Sequence, residues 1–257
     1  MSTAGPLLRE WRQRRRLSQL ELALEAEVSA RHLSFVETGR SLPSREMVLH
    51  LAERLEIPLR ERNALLIAAG YAPVFPERKL DDPALDAARK AVDLVLAGHE
   101  PYPAIAVDRH WTLVAANRAV GPFMLVEDES LLQPPLNVLR VSLHPRGVAP
   151  RIANFGEWRA HVLERLRRQI EASGDPVLTA LHEELRSYPA PAAAPSQHAR
   201  EYNGVIVPIE LITDQGILAF FSTTTIFGTP VDVTLSELAV EAFFPADEKT
   251  ARALRTL

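Results

Sequence analysis

The chain has 257 residues, 47% of them hydrophobic and none of them cysteine, so it can bury a sizeable core while disulfides and thiolate metal sites are excluded. Its 33 acidic residues outnumber 29 lysines and arginines, and a formal net charge of -4 excludes a generic binder of polyanions. With no cationic and apolar leader and no apolar run approaching about eighteen residues, a soluble, cytoplasmic protein without a membrane partner is expected.

A first helix follows from the apolar stripe of Leu7, Leu8 and Trp11, and it runs into the densest basic cluster of the chain, Arg12, Arg14, Arg15 and Arg16. Ser18 is a good N-cap, and Glu21 three residues later completes a capping box that starts a second helix at Gln19. Leu22 and Ala26 share one face, and the small Ala23 lets two helices approach where they cross. Ser29 caps a third helix, which buries Val28, Leu33 and Val36 and ends at Gly39. Ala30, Arg31, His32 and Phe35 are left pointing outward near its N-terminal half, the part of a helix-turn-helix that lies in a major groove. Two further stripes complete five helices: Met47, Val48, Leu51 and Leu55, then Leu65, Leu66 and Ala69.

Ser18, Gln19, Leu22, Ala23, Val28, Ser29, Glu37, Gly39, Pro43 and Ser44 together resemble the pattern of the phage-repressor and Xre-type helix-turn-helix family. The resemblance implies double-stranded operator DNA as a partner, with Gln19 and Arg45 on phosphates and Ala30, Arg31, His32 and Phe35 toward base edges. Arg12 and its basic neighbours are expected to meet phosphate as well, because a recognition helix follows them directly. Residues 1–70 hold eleven arginines and nine glutamates, a net of +2 that leaves -6 for the remainder. Glu27 stands where the family often has Gly, at a cost of about 1 kcal/mol if the backbone there is left-handed.

Three prolines and a charge run between Gly70 and Pro83 interrupt helical periodicity, which sets a linker at 71–83 between a domain at 1–70 and another at 84–257. Ala84–Ala97 reads as an amphipathic helix with Leu85, Ala88, Val92, Val95 and Leu96 inward. Pro103–Val107 and Thr112–Ala116 read as a hairpin, followed by a helix that Asn117 caps and Gly121-Pro122 breaks. A long helix is expected from Phe155 to Ala172, with Trp158, Val162, Leu166 and Ile170 on one face and Arg159, Arg165, Arg167 and Arg168 largely on another. One more helix spans Pro176–Arg186, and Tyr188–Gln197 is a low-complexity loop. Strands at Val205–Ile212 and Ile217–Thr225 precede a last helix at Ser236–Phe243.

The fold class is therefore α+β: a five-helix repressor-type bundle followed by a PAS-like antiparallel sheet whose covering helices enclose a cavity. Tyr102–Ala119, Pro150–Trp158 and Phe227–Asp247 are similar to the ligand-binding domain of MmyB-like transcription regulators, which accompany an Xre-type helix-turn-helix. That resemblance implies a transcription regulator that senses a lipophilic, fatty-acid-like molecule, with no cofactor beyond it. Arg140, His144, Arg146, Arg151 and Asn154 bracket the apolar runs and are the candidate anchors for its head group. Trp111 and Trp158 read as core, and no spacing supplies a metal site. A homodimer is expected, because paired half-sites need two-fold related helices, and the helix at 155–172 is the suspected interface. No glycine-rich phosphate loop, nucleophile elbow or carboxylate pair points to an enzyme, although an enzymatic or purely protein-binding second domain is the alternative.

Overall fold

A computed structural model describes residues 4–189, 207–228 and 230–255, which form two compact units. The first comprises Met1–Lys79 with Glu171–Ser173 and Thr229–Ser236, and the second comprises Leu80–Ile170, Gly174–Gly228 and Glu237–Leu257. The low-complexity segment lies outside the described residues beyond Pro189, as do Val205 and Ile206 of the expected strand. No described helix is long and apolar enough to cross a membrane.

Five consecutive helices make most of the first unit: α1 (Ala4–Arg14), α2 (Gln19–Glu25), α3 (Ala30–Glu37), α4 (Arg45–Arg54) and α5 (Leu59–Ala68). Their starts follow from side chains that satisfy otherwise orphaned amides. Ser18 accepts from Glu21 N while the Glu21 carboxylate accepts from Ser18 N, and Ser29 and Ser44 cap α3 and α4 by accepting from His32 N and Met47 N. Leu8, Trp11, Leu22, Leu33, Val36, Val48, Leu51 and Leu66 form one buried core. Gly5 allows α1 to lie on the end of α3, since a Cβ there would sit 2.3 Å from Val36 O. Glu27 does adopt the left-handed conformation, at φ 53°, and Val28 N donates to Ala23 O across the turn that it makes.

Buried Asn63 ties down the chain that follows α5, accepting from Val74 N and Phe75 N and donating to Phe75 O. A short helix, α10 (Val233–Ser236), belongs to the same unit. Val233 N donates to Pro76 O, and Arg78 Nη1 lies 2.9 Å from the buried Asp232 carboxylate.

The second unit has one five-stranded sheet: β1 (Ala104–Val107), β2 (Leu113–Ala116), β3 (Ile209–Thr213), β4 (Gly216–Ile226) and β5 (Ala239–Pro245). The strand order is β2-β1-β5-β4-β3, and every neighbouring pair is antiparallel. Its helices are α6 (Asp86–Gly98), α7 (Val138–Leu143), α8 (Phe155–Ser173, whose last three residues group with the first unit), α9 (Pro176–Ser187) and α11 (Glu248–Leu254). Leu85, Val92 and Leu96 are buried in and before α6, whereas Val95 is 49% exposed.

Two expectations are corrected here. Ser236–Phe243 is not a helix: apart from the end of α10, it supplies most of β5, the central strand of the sheet. Its Ala and Glu content and its spacing favour a helix locally, but β1 and β4 satisfy both of its backbone edges, and that pairing outweighs weak propensity. Asn117 does not cap the following 3-10 turn, Arg118–Phe123, which runs through Gly121-Pro122. Its buried amide instead accepts from Ala104 N and donates to Leu96 O and Tyr102 O, holding α6 against the start of β1.

Candidate functional site

On the first unit, α3 presents Arg31 to solvent and leaves His32 and Phe35 half-buried at its surface. The Phe35 ring is flanked by two cations, with the Arg31 guanidinium 5.5 Å and the Arg40 guanidinium 5.9 Å from its centroid. Such stacking holds both arginines over an apolar platform. Arg40 lies just beyond the helix, and its part in this cluster is not visible in helical spacing. Ala30 is half-buried and packs partly on the core. Arg45 is exposed at the first position of α4, beside backbone amides whose partial positive charge favours an anion.

Arg12 does not belong to this surface, which corrects its expected phosphate role. Only 8% exposed, it gives Nε and Nη2 to the Glu37 carboxylate at 2.7 and 2.9 Å and Nη1 to Leu17 O at 2.7 Å. The hydrogen bond to Glu37 raises the Arg12 pKa above its ordinary value. Gln19 Nε2 donates to the same carboxylate at 2.7 Å, so Gln19 is half-buried at the helix start rather than freely extended. Arg12, 25 residues before Glu37, becomes its partner only when α1 lies on α3, a contact that the Arg run conceals.

On the second unit, the sheet and α7 and α8 enclose a cavity of about 140 Å³. Ile105, Leu113, Phe220, Ile209, Leu211 and Phe243 line it from the strands, and Phe123, Met124, Val138 and Trp158 from the helices and turns. Four polar residues interrupt this lining: Ser142, His161, Arg165 and Glu241. Ser142 Oγ is occupied by Trp158 Nε1 at 2.9 Å.

The other three make one polar corner. Arg165 Nη2 pairs with Glu241 Oε1 and donates to Thr224 Oγ1 at 2.8 Å, and its guanidinium lies 4.5 Å from the Trp111 ring centroid. Thr224 Oγ1 in turn donates to Glu241 Oε1 at 2.9 Å, across the register that places Thr224 of β4 opposite Glu241 of β5. His161, one turn before Arg165, stacks on Trp158 with centroids 5.7 Å apart. Burial lowers its pKa below the ordinary imidazole value, and Arg165 and Arg168 lower it further against the opposing pull of Glu241.

None of the five expected anchors lines this cavity. Arg140 holds Glu184 through two hydrogen bonds of 2.8 Å. Arg146 meets Glu127 and Asp128 at 3.3 and 3.1 Å, and Arg151 Nη2 donates to Ile212 O at 3.2 Å. His144 stands edge-on to Tyr188 at 5.0 Å. Asn154 is buried as a clamp, donating to Pro208 O and accepting from Glu210 N at 2.8 and 3.0 Å. Each of the three arginines among them is engaged by a nearby carboxylate or carbonyl instead.

The residues that do reach the cavity carried a signal. Arg165, expected on the opposite face from the apolar stripe, is corrected to its edge: it is seven residues after Trp158, two helical turns on, and lines the cavity with Trp158, His161 and Val162. Polar residues inside an apolar stripe are the pattern to weigh. Glu241 carried none as long as its segment was read as helix.

A family model described as MmyB-like transcription regulator ligand binding domain matches residues 88–257, and one described as Helix-turn-helix matches residues 8–62. No curated protein matches the chain.

Proposed function

The chain belongs to the MmyB-like transcription regulators, and from that premise we propose that residues 1–70 read a specific operator while residues 84–257, joined through 71–83, sense a small lipophilic ligand. The observation that carries this reading is a cavity with an almost wholly apolar lining and one polar corner, in the same chain as a helix-turn-helix. An apolar lining with few oriented polar groups is what selects a lipophilic molecule. The ligand is fatty-acid-like in plan, with a chain among Ile105, Phe123 and Phe220 and a head toward His161 and Arg165. The antiparallel sheet with helices over a cavity supports a PAS-like sensor.

Binding shifts DNA affinity only as far as the ligand prefers one arrangement of the protein over another. The protein acts as a homodimer whose recognition helices meet half-sites about 34 Å apart. Arg31, His32 and Phe35 face bases, with Ala30 packed beside them, while Gln19 and Arg45 position the backbone.

Selection of bound sequences from a random DNA library, followed by Arg31→Ala, tests the reader. Loss of about 1–3 kcal/mol with relaxed preference at one base pair supports base contact. Equal weakening on every sequence refutes it. Mass spectrometry of material extracted from the purified protein tests the sensor, which returns its ligand unchanged. A chemically converted ligand would favour the enzymatic alternative.

A further inference from the structure

We propose that the outer face of α3 reads a guanine next to a 5-methylpyrimidine, so that the protein binds more tightly to DNA in which a cytosine at that step carries a C5 methyl group. The inference rests on the operator-reading assignment and names the base chemistry that the reader selects.

The side chains of α3 match two kinds of base edge and omit the others. A guanine offers O6 and N7 to a bidentate arginine, and a 5-methyl group in the major groove takes an apolar contact. Arg31 is exposed, and Ala30 and Phe35 supply half-buried apolar surface on the same helix. Adenine is paired by Asn or Gln, and the amino group of cytosine by Asp or Glu. From Ala30 to Arg40 the chain has no Asn, Gln or Asp, and its one carboxylate, Glu37, is 4% exposed and bound to Arg12. His32 and Ser34 can each add a single hydrogen bond, which does not replace a bidentate pair.

Spacing joins the two contacts into one step. Arg31 and Phe35 are four residues apart, hence neighbours on the helix surface, and the guanidinium lies 5.5 Å from the ring centroid. Successive bases in a strand rise by about 3.4 Å, so side chains this close address adjacent bases rather than separated positions. With Arg31 on the guanine, the Phe35 ring is left for the methyl group of the neighbouring pyrimidine. Thymine and 5-methylcytosine present the same methyl, and cytosine lacks it. Arg40, 5.9 Å from the same centroid, adds a second positive charge that favours carrying an apolar ring into a groove walled by phosphates.

The test uses the full chain and the duplex returned by selection from a random library, with affinity read by fluorescence anisotropy. Four duplexes differ only in the base pair of the pyrimidine beside the guanine that Arg31 reads: thymine, uracil, 5-methylcytosine or cytosine. Binding should weaken about fourfold from thymine to uracil and again about fourfold from 5-methylcytosine to cytosine, the worth of one buried methyl group. Phe35→Ala should erase both differences while the preference for guanine persists. Equal binding to cytosine and 5-methylcytosine overturns the proposal, and so does a selected sequence with no guanine beside a thymine. A selection that returns no preferred sequence refutes operator reading itself. The methyl comparisons on the unaltered protein decide the matter even if the Phe35→Ala chain does not fold.

Discussion

Arg12→Met should destabilise the helical unit without acting on DNA through charge. The substitution removes three hydrogen bonds and leaves the Glu37 carboxylate, 1% exposed, with Gln19 as its remaining partner. Breaking a buried pair by removing one partner costs about 3–5 kcal/mol, a large share of the roughly 5–15 kcal/mol that holds a domain folded. Hydrogen exchange by mass spectrometry on the full chain reads this locally. Amides of α1 and α3 that open with the unit should exchange faster by about a hundredfold or more. The double variant Arg12→Met with Glu37→Leu removes both charges and should recover most of the loss, since apolar replacement of a buried pair is often neutral. Unchanged exchange, with a lower salt slope of DNA binding, would show that Arg12 meets phosphate and would refute the burial argument.

Replacing operator thymines by uracil should weaken binding at the position under Phe35 by about 0.8 kcal/mol per lost methyl, and Phe35→Ala should abolish that sensitivity; equal losses in both proteins would remove Phe35 from the thymine-facing role. Arg45→Ala should lower affinity evenly on all sequences and reduce the salt slope by about 1, as measured by fluorescence anisotropy over a salt series. The lowered His161 pKa means that, between its folded value and the ordinary 6.5, the unfolded chain binds a proton that the folded chain does not. Stability of the second unit therefore rises with pH through that window and falls on acidification; His161→Gln should flatten the melting-temperature profile in part, with His182, also lowered chiefly by burial, keeping the rest. Asn154→Ala should cost about 1–3 kcal/mol for each backbone group left unpaired at Pro208 and Glu210, a loss that denaturant unfolding of the variant reads, and unchanged stability would refute the clamp.

The sequence by itself determined the elements whose causes are local. Ser18, Ser29 and Ser44 each cap the helix that begins next to them, and Glu27 holds the left-handed turn that its position requires. The outward placement of Arg31 follows from the 3.6-residue period once Leu33 and Val36 are buried. The hairpin of β1 and β2 and the extent of α8 are equally short-range matters of turn residues and periodicity.

Only the tertiary structure decided which charges are spent and which segment becomes the sheet's centre. Glu37 lies 25 residues from Arg12, so no short-range spacing names the two as partners. β5 is a strand because β1 and β4, far apart in the chain, supply hydrogen-bond partners on both sides, overriding a local preference worth only tenths of a kcal/mol per residue. The polar corner needs Arg165 from a helix, Thr224 from one strand and Glu241 from another, so it exists only after long-range pairing has set the register. Local propensity acts over a few residues, whereas burial and ion pairing act through space, and the ligand chemistry of this protein depends on the second.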